Sequence, residues 1–259
     1  MKILFNKYEG TGNDFIIIDN RENIVSQDNA KLINHLCDRR FGIGADGLIL
    51  VENCKGYDFR MIYFNSDGLE ASMCGNGGRC TSHFVMTHFT GQRDLKFMAK
   101  DGPHTAKPVG NNLIDLSIND VKSIKTTPDG ILVNTGVPHL VVFAENIEAA
   151  DLLAIARPLR YSPRYAPDGV NVNLVQVSGN SLSVRTYERG VEDETLSCGT
   201  GVTASAIAAA SSGKVRSDKI DVTVKGGALT VSFKIKGDYA SDIHLVGPAT
   251  FVFSGETEI

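Results

Sequence analysis

An internal repeat at a fixed offset of 124 residues constrains this chain more than any other feature of its sequence. The pattern E-x-x-x-C-G-x-G occurs at residues 70–77 and again at residues 194–201. The same offset relates Thr11 to Thr135, Tyr63 to Tyr187 and Cys74 to Cys198. Because chance seldom produces three matches at one offset, the sequence predicts two homologous halves, each with one cysteine at the start of a Gly-rich helix.

Short β-branched runs bounded by Gly, Asn and Asp predict many short strands. The predicted strands cover residues 15–18, 48–51, 59–64, 140–143, 170–177, 182–186, 220–224 and 229–235. Helical spacing of apolar residues and the two Gly-rich turns predict helices at residues 29–40, 74–88, 149–156 and 198–211. Strands outnumber helices, and no linker or low-complexity segment separates the halves.

Charge and cysteine content exclude several classes of protein. The chain has 26 Lys and Arg against 30 Asp and Glu, a net charge of −4, so it lacks the basic surface that nucleic acids and anionic membranes require. Its first apolar run is too short for a signal peptide, and no run of 18 apolar residues could span a membrane. Five cysteines, an odd number, argue against a disulfide framework. We therefore expect a soluble cytoplasmic protein with reduced thiols.

The position of the two matched cysteines predicts their chemistry. A helix N-terminus carries unpaired N–H groups and a partial positive charge, which stabilise the thiolate of Cys74 or Cys198. The backbone amides that follow can hold a carboxylate, and the glycine after each cysteine allows close approach. Two such thiols on opposite faces of one acid could remove an α-proton and return one from the other side. This pattern predicts racemisation or epimerisation by two acid/base groups.

The remaining cysteines and the repeated glutamates favour structural roles. Cys37 falls within a predicted helix and Cys54 in a polar loop, while Cys80 lies about one and two-thirds turns beyond Cys74 and should point elsewhere. Glu70 and Glu194 each precede a matched cysteine by four residues. They either hydrogen-bond the turn or brace it, and bracing is the favoured interpretation.

Competing motifs fail on their context. Residues 42–47 spell G-x-G-x-x-G, but a predicted helix precedes them and a strand follows, which is the reverse of a dinucleotide-binding turn. The six histidines are scattered without metal-ligand spacing, and no C-x-x-C pair or phosphate loop is present. We therefore expect neither a cofactor nor a metal.

Several sequence blocks resemble one known family. They are Y-E-G-T-G-N-D-F at 8–15, F-G-I-G-A-D at 41–46, N-S-D-G at 65–68, M-C-G-N-G-G-R-C at 73–80, Y-E-R-G at 187–190 and E-T-L-S-C-G-T-G at 194–201. Together they are similar to diaminopimelate epimerases, and the resemblance extends from about residue 3 to residue 255. The paired cysteine motifs are highly specific.

The resemblance implies a cofactor-free interconversion of LL- and meso-2,6-diaminopimelate, a precursor of lysine and of peptidoglycan. It implies an α/β (α+β) fold of two pseudo-symmetric domains, each a curled, mostly antiparallel sheet around a central helix, with the active site in the interdomain cleft. The expected halves are residues 1–116 with a C-terminal strand at about 247–259, carrying Cys74, and residues 117–246, carrying Cys198. A homodimer is also expected.

The resemblance assigns roles to individual residues. Cys74 and Cys198 are the expected acid/base pair, and His139 is expected to tune the thiols together with Glu188. The expected substrate contacts are Asn13, Asn65, Gly75, Asn76, Asn171, Glu188, Arg189, Gly199 and Thr200. Arg189 suits a distal carboxylate and Glu188 a distal ammonium.

Two positions depart from the family pattern. Val137 stands where many members carry Asn, and Gly47 where some carry an amide side chain, so recognition of the distal end of the substrate could be looser.

A proline- or hydroxyproline-type racemase is one alternative function, although such relatives tend to carry His at the position of Asn76. A thiol–disulfide redox protein is another, and a catalytically silent binding protein is a third.

Overall fold

The structure is a computed structural model that describes residues 2–91 and 93–258. Within these ranges the chain forms four α-helices and seventeen strands. The helices are α1 (Ala30–Cys37), α2 (Gly75–Val85), α3 (Leu152–Arg160) and α4 (Gly199–Ser211). The strands are β1 (Lys2–Gly10), β2 (Asn13–Asp19), β3 (Gly47–Glu52), β4 (Phe59–Asn65), β5 (Leu95–Ala99), β6 (Gly102–Gly110), β7 (Leu113–Ile118), β8 (Ile124–Thr127), β9 (Gly130–Asn134), β10 (Pro138–Phe143), β11 (Asn171–Ser178), β12 (Ser181–Glu188), β13 (Asp193–Thr195), β14 (Lys219–Val224), β15 (Gly227–Lys236), β16 (Tyr239–Pro248) and β17 (Thr250–Glu258).

Every predicted helix and strand is present, which confirms a mixed α/β fold dominated by sheet. The predicted strands correspond to β2, β3, β4, β10, β11, β12, β14 and β15. The helix predicted at 74–88 ends as α2 at Val85 and continues as a π-helical turn over Met86–Thr90. The strands that were not predicted are mostly polar or short, and β17 is exposed along much of its length. Strands β8 and β13 are four and three residues long, too short to show a period of two, whereas β7 alternates buried and more exposed residues and was missed despite that signal.

The chain divides into two compact units, of which the first comprises Met1–Leu116 and Gly247–Ile259. In this unit β1 pairs antiparallel with both β2 and β17, β2 pairs parallel with β3, and the remaining pairs are antiparallel except β4 with β5. Helix α2 packs against β1, β2, β3, β4, β6 and β17. It is therefore the central helix of the unit, and α1 packs on β3.

The second unit, Ser117–Val246, repeats this arrangement. Parallel pairing joins β10 to β11 and β12 to β14, and the other pairs are antiparallel. Helix α4 packs against β9, β10, β11, β12, β14 and β15. Its residues are mainly Gly, Ala, Ser and Thr, and nearly all of them are buried. Small side chains around the whole helix allow strands to approach it from several sides.

The strand register reproduces the repeat residue by residue. In the first unit Phe15 of β2 pairs with Gly47 of β3, and in the second His139 of β10 pairs with Asn171 of β11. Both residues of the second pair lie 124 positions after those of the first. The two halves are therefore pseudo-symmetric, and corresponding positions can be compared directly. In the described part of the chain, none of the helices has the length and apolar character that crossing a membrane would require.

Candidate active site

Each matched cysteine is the residue from which its helix begins. Cys74 and Cys198 have extended backbones, with φ and ψ of −96° and 123° and of −124° and 105°, and their carbonyls accept the first helical hydrogen bonds of α2 and α4. The donors of these bonds, the N–H groups of Gly78 and Val202, lie 2.7 and 2.9 Å away. Amides in the first turn of a helix have no partner within it, so each thiol lies at a positive helix end.

The thiol of Cys74 faces an amide oxygen. Its Sγ lies 3.6 Å from Oδ1 of Asn13, to which the S–H group donates, and the amide nitrogen of Asn76 donates to the same oxygen over 3.3 Å. Arg79, which is fully buried, donates to Oδ1 of Asn76 over 3.0 Å. Its guanidinium also donates to the carbonyls of Gly75 and Pro248. These bonds fix the side chain of Asn76 beside Cys74.

An ionic cluster fixes the other end of Asn13. The amide nitrogen of Asn13 donates to Oδ2 of Asp46 over 2.7 Å, so its oxygen is turned toward Cys74. Arg39 bridges Asp46 and Asp14, and Lys7 pairs with Asp14 at 2.7 Å. Burial raises the pKa of Asp14, but hydrogen bonds from Arg39 and Lys7 outweigh it and bring the pKa down to about 2. The carboxylate of Asp14 is therefore held as an anion at neutral pH.

The thiol of Cys198 faces a hydroxyl instead. Its Sγ lies 3.4 Å from Oγ1 of Thr200, which in turn lies 3.0 Å from Nε2 of His139. His139 is fully buried, and its Nε2 contacts the hydroxyl of Thr200. Burial, with a further contribution from the positive charge of Arg189, lowers the pKa of His139 to about 3. The imidazole is therefore neutral at physiological pH.

Two buried polar residues complete the surroundings of His139. The amide nitrogen of Asn173 lies 3.1 Å from Nδ1 of His139 and 3.4 Å from the carbonyl of Leu140, and Thr186 donates to Oδ1 of Asn173 over 2.9 Å. Asn173 also packs against α4, because a Cβ placed on Gly201 would lie 2.4 Å from its Oδ1. Asn173 was not among the predicted site residues, although two Asn residues alternating on one face of an apolar strand were a usable signal.

The expected distal-end residues cluster around the turn after β12. Asn171 accepts the backbone N–H of Arg189 over 2.7 Å and donates to the carbonyl of Pro138, so its side chain anchors this turn. The guanidinium of Arg189 donates to the carbonyl of Asp168 over 3.4 Å. Thr195 donates to Oε2 of Glu188 over 2.9 Å. The structure thus places Asn171, Glu188 and Arg189 together within the second unit.

Asn65 ends β4 and is exposed at the turn that follows, opposite Gly47. A Cβ on Gly47 would meet Cε2 of Tyr63 and the carbonyl of Phe64, each at 2.5 Å. The ring of Tyr63 therefore occupies the space next to residue 47, which accounts for glycine there. Val137 corresponds through the repeat to Asn13, so the second unit lacks the amide that faces Cys74 in the first.

Cys37 and Cys80 are buried, and the two repeated glutamates form ion pairs. All five cysteines carry free thiols. Burial raises the pKa of Cys80 far above its ordinary value and that of Cys37 to about 12, which leaves both thiols protonated. Glu194 forms ion pairs with Arg185 and Lys225, both at 2.7 Å, and Glu70 pairs with Lys100 at 3.4 Å. Glu194 therefore joins β13 to β12, and Glu70 joins the segment after β4 to the turn after β5.

Among residues 2–91 and 93–258, no group of His, Cys, Asp and Glu side chains has the geometry of a metal site. The groups available for chemistry are the two thiols, the first-turn amides of α2 and α4, and the polar residues around them. A helix end of this kind can hold a carboxylate, and the adjacent thiol can exchange a proton with the carbon that bears it.

Comparison with known proteins gives a consistent result. The family model described as diaminopimelate epimerase matches residues 5–115 and 131–252. A protein named diaminopimelate epimerase from Flavobacterium psychrophilum is 50% identical over 248 residues, which cover 95% of this chain and 97% of that protein. Another of the same name, from Methanocella arvoryzae, is 40% identical and covers 100% of this chain and 98% of its own.

Solved structures show the same fold at low sequence identity. A phenazine biosynthesis protein of the PhzF family from Bacillus anthracis superposes with a TM-score of 0.74 at 15% identity, covering 100% of both chains. A hydroxyproline epimerase from Agrobacterium vitis superposes with a TM-score of 0.73 at 15% identity, covering 99% of this chain and 91% of the other. These likenesses concern the fold alone.

Proposed function

Because the chain belongs to the diaminopimelate epimerase family, we propose that it interconverts LL- and meso-2,6-diaminopimelate with Cys74 and Cys198 as the two proton carriers. The enzyme is thus an isomerase, and no cofactor takes part in the proposed reaction. The observation that carries the proposal is the placement of both cysteines at corresponding helix starts, 124 residues apart, in two pseudo-symmetric units. Each unit contributes one epimerase half.

The proposed reaction consists of two proton transfers at one carbon. One cysteine, as the thiolate, removes the α-proton, and the electron pair left on carbon delocalises into the α-carboxylate. The other cysteine, as the thiol, then delivers a proton to the opposite face, which inverts the configuration. The first cysteine ends as a thiol and the second as a thiolate, so the two roles have been exchanged and the reverse reaction uses the same groups.

The first-turn amides of both helices stabilise the charge that develops on the carboxylate. The proposed donors are the backbone N–H groups of Gly75, Asn76, Gly199 and Thr200, which lie at positive helix ends. Such preorganised dipoles are most effective where negative charge increases in the transition state. Asn13 and Asn65 of the first unit are further proposed substrate contacts.

The distal end of diaminopimelate carries a second carboxylate and a second ammonium. We assign the carboxylate to Arg189, whose guanidinium can bind it through two parallel hydrogen bonds, and the ammonium to Glu188. Asn171 supports this assignment because it holds the backbone of Arg189 and thereby orients the turn. The single carboxylate of proline would leave Arg189 without a partner.

We also propose that the enzyme acts as a homodimer in the cytoplasm. Strand β17 pairs with β1, and together they expose Leu4, Phe251, Val252 and Phe253. Exposed apolar side chains grouped on adjacent strands are typical of a surface that is covered by a partner.

A reducing compartment is supported by the five free thiols, because proton transfer requires both matched cysteines to be unoxidised.

The decisive experiment is NMR spectroscopy of LL-diaminopimelate with the reduced protein in D2O. We expect the α-proton signal to disappear while the meso isomer forms with deuterium at the inverted centre. Proline and trans-4-hydroxyproline, tested in parallel, should show no exchange. A protein that exchanged either of these but left diaminopimelate unchanged would contradict the proposed substrate.

Three alanine variants test the proton carriers. Cys74→Ala and Cys198→Ala should each abolish epimerisation, because one face of the substrate then has no proton carrier. Cys80→Ala is the matched control, since its thiol is buried and the corresponding residue of the second unit is Ala204. Full turnover in either of the first two variants would refute the two-cysteine mechanism.

A further inference from the structure

Within its own unit, each thiol faces a different kind of hydrogen-bonding group. Cys74 faces Oδ1 of Asn13, an amide oxygen that can only accept. Cys198 faces Oγ1 of Thr200, a hydroxyl that can donate. An acceptor stabilises the protonated thiol, whereas a donor stabilises the thiolate. The resting protonation of the pair therefore depends on whether these orientations are fixed.

The orientation of Asn13 is fixed from two sides. The carboxylate of Asp46, which is paired with Arg39, accepts from the amide nitrogen, which turns the oxygen toward Cys74. Asn76 donates to that oxygen and is itself oriented by Arg79, because a guanidinium can donate only to its Oδ1. The acceptor in front of Cys74 is therefore built into the first unit.

The orientation of Thr200 is fixed through His139 and Asn173. The carbonyl of Leu140 accepts from Asn173, which identifies the amide nitrogen and directs it also to Nδ1 of His139. A neutral imidazole that accepts at Nδ1 carries its proton on Nε2. That proton is donated to Oγ1 of Thr200, which leaves the hydroxyl proton of Thr200 available to the sulfur of Cys198.

We propose that Asn173 and Thr200 are positioning residues for epimerisation, and that they bias the free enzyme toward a thiolate at Cys198 and a protonated thiol at Cys74. The inference rests on the proposed acid/base roles of the two cysteines. The free enzyme, with its thiolate at Cys198, is then ready to react with the stereoisomer whose α-proton Cys198 removes. The opposite stereoisomer requires the proton to move from Cys74 to Cys198 before turnover.

Two cationic side chains act on His139 and Cys74, and one of them opposes the proposed protonation of Cys74. Arg189 acts on the imidazole of His139 and keeps it neutral, in the same direction as burial. Arg79 acts electrostatically on Cys74, and a positive charge favours a thiolate there. Arg79 is oriented by two backbone carbonyls and Asn76. Through Asn76, its hydrogen bonds hold the amide oxygen of Asn13 in front of Cys74, which favours a protonated thiol. Its positive charge has the opposite effect on the same thiol. The experiment measures which of the two effects is larger.

The test is the pH dependence of iodoacetamide alkylation in the reduced, ligand-free protein, followed separately at each cysteine by peptide mass spectrometry. We expect Cys198 to react with a midpoint about one pH unit or more below that of Cys74, since one unit corresponds to a single charge-assisted hydrogen bond. Equal midpoints, or a lower midpoint at Cys74, would overturn the proposal.

Variants of the hydroxyl and of the amide test the relay itself. Thr200→Val should raise the midpoint of Cys198 by about one pH unit, without moving that of Cys74. Thr200→Ser should restore it, because the hydroxyl is retained. Thr203→Val is the matched control, since its buried hydroxyl on the same helix donates to the carbonyl of Gly199 and takes no part in the relay. An unchanged midpoint in Thr200→Val would contradict the relay.

Asn173→Leu removes the amide that selects the Nε2–H form of His139, and it should move the Cys198 midpoint in the same direction as Thr200→Val. Should this variant fail to fold, the two Thr200 variants still decide the question. Alkylation does not require turnover. Epimerase activity in Cys74→Ala or Cys198→Ala would refute the proposed function. The alkylation midpoints test this inference separately, so the two failures are distinguishable.

Discussion

The carboxylate of Asp46 lies 2.7 Å from the amide nitrogen of Asn13 and thereby sets which end of that amide faces Cys74. Asp46 touches neither the sulfur nor, in the proposed mechanism, the substrate. Its effect on catalysis is to keep an acceptor, rather than a donor, in front of the thiol.

Asp46→Asn should therefore lower kcat/KM for epimerisation while the fold persists. We expect a fall of up to about 100-fold, the size of effect produced when a catalytic group is misplaced by about 1 Å. The measurement is a kinetic assay with LL-diaminopimelate, accompanied by thermal unfolding. Asp242→Asn is the control, because Asp242 forms an exposed ion pair with Lys234. Equal kinetics in the two variants would show that Asp46 does not orient Asn13.

Two corresponding glycines should respond differently to alanine. A Cβ on Gly201 would lie 2.4 Å from Oδ1 of Asn173, whereas on Gly77 its nearest neighbours would be the flexible tips of Ile49 and Met61, both at 3.1 Å. Gly201→Ala should lose about 1–3 kcal/mol of unfolding free energy, as overpacked cores do, and should also raise the alkylation midpoint of Cys198. Gly77→Ala should lose less unfolding free energy than Gly201→Ala. Urea unfolding of both variants provides the comparison, and equal losses would contradict the assigned clash.

The buried imidazole of His139 should make the fold sensitive to acid. Burial lowers its folded pKa to about 3, whereas an unfolded histidine titrates near 6.5. Between these two pH values the unfolded chain binds a proton that the folded chain does not. The contribution of His139 to the free energy of unfolding is therefore fully present above about pH 6.5, and it falls by up to about 1.4 kcal/mol per pH unit below it.

His139→Gln should therefore flatten the decline in unfolding free energy between pH 6.5 and 5, measured by urea denaturation at each pH. Burial lowers the pKa of His83 as well, so part of the slope remains. Replacing the exposed His35 in the same way should leave the slope unchanged. A slope identical in wild type and His139→Gln would mean that His139 takes up its proton equally in both states.

The proposed dimer surface is tested at Val252, which is 52% exposed on β17. Val252→Glu places a charge among apolar neighbours, so we expect a monomer in size-exclusion chromatography with light scattering. Val109→Glu on β6, where valine is 45% exposed, should remain dimeric. A wild-type monomer, or a dimer that tolerates the charge at Val252, would exclude this surface.

The sequence was sufficient to predict the halves, the helix starts and eight strands, because these depend on local composition and on the repeat. The strands it missed include short ones such as β13, where periodicity carries little information, and also β7, whose alternation of Ile114, Leu116 and Ile118 was a usable signal. The contact of Asn173 with His139 depends on the parallel register of β10 and β11, a relation between segments that are distant along the chain. Likewise, nothing near residue 47 indicates that the ring of Tyr63 occupies the adjacent space.

The pairing of β1 with β17 has a consequence for how the chain is made. The strand that completes the first unit follows the whole second unit in sequence, so nascent residues 2–116 lack one of the two partners of β1 until β17 has been translated. The second unit is continuous in sequence and has no such dependence. On the ribosome, the half that carries Cys198 can therefore mature before the half that carries Cys74, which reverses the usual order in which domains fold during synthesis.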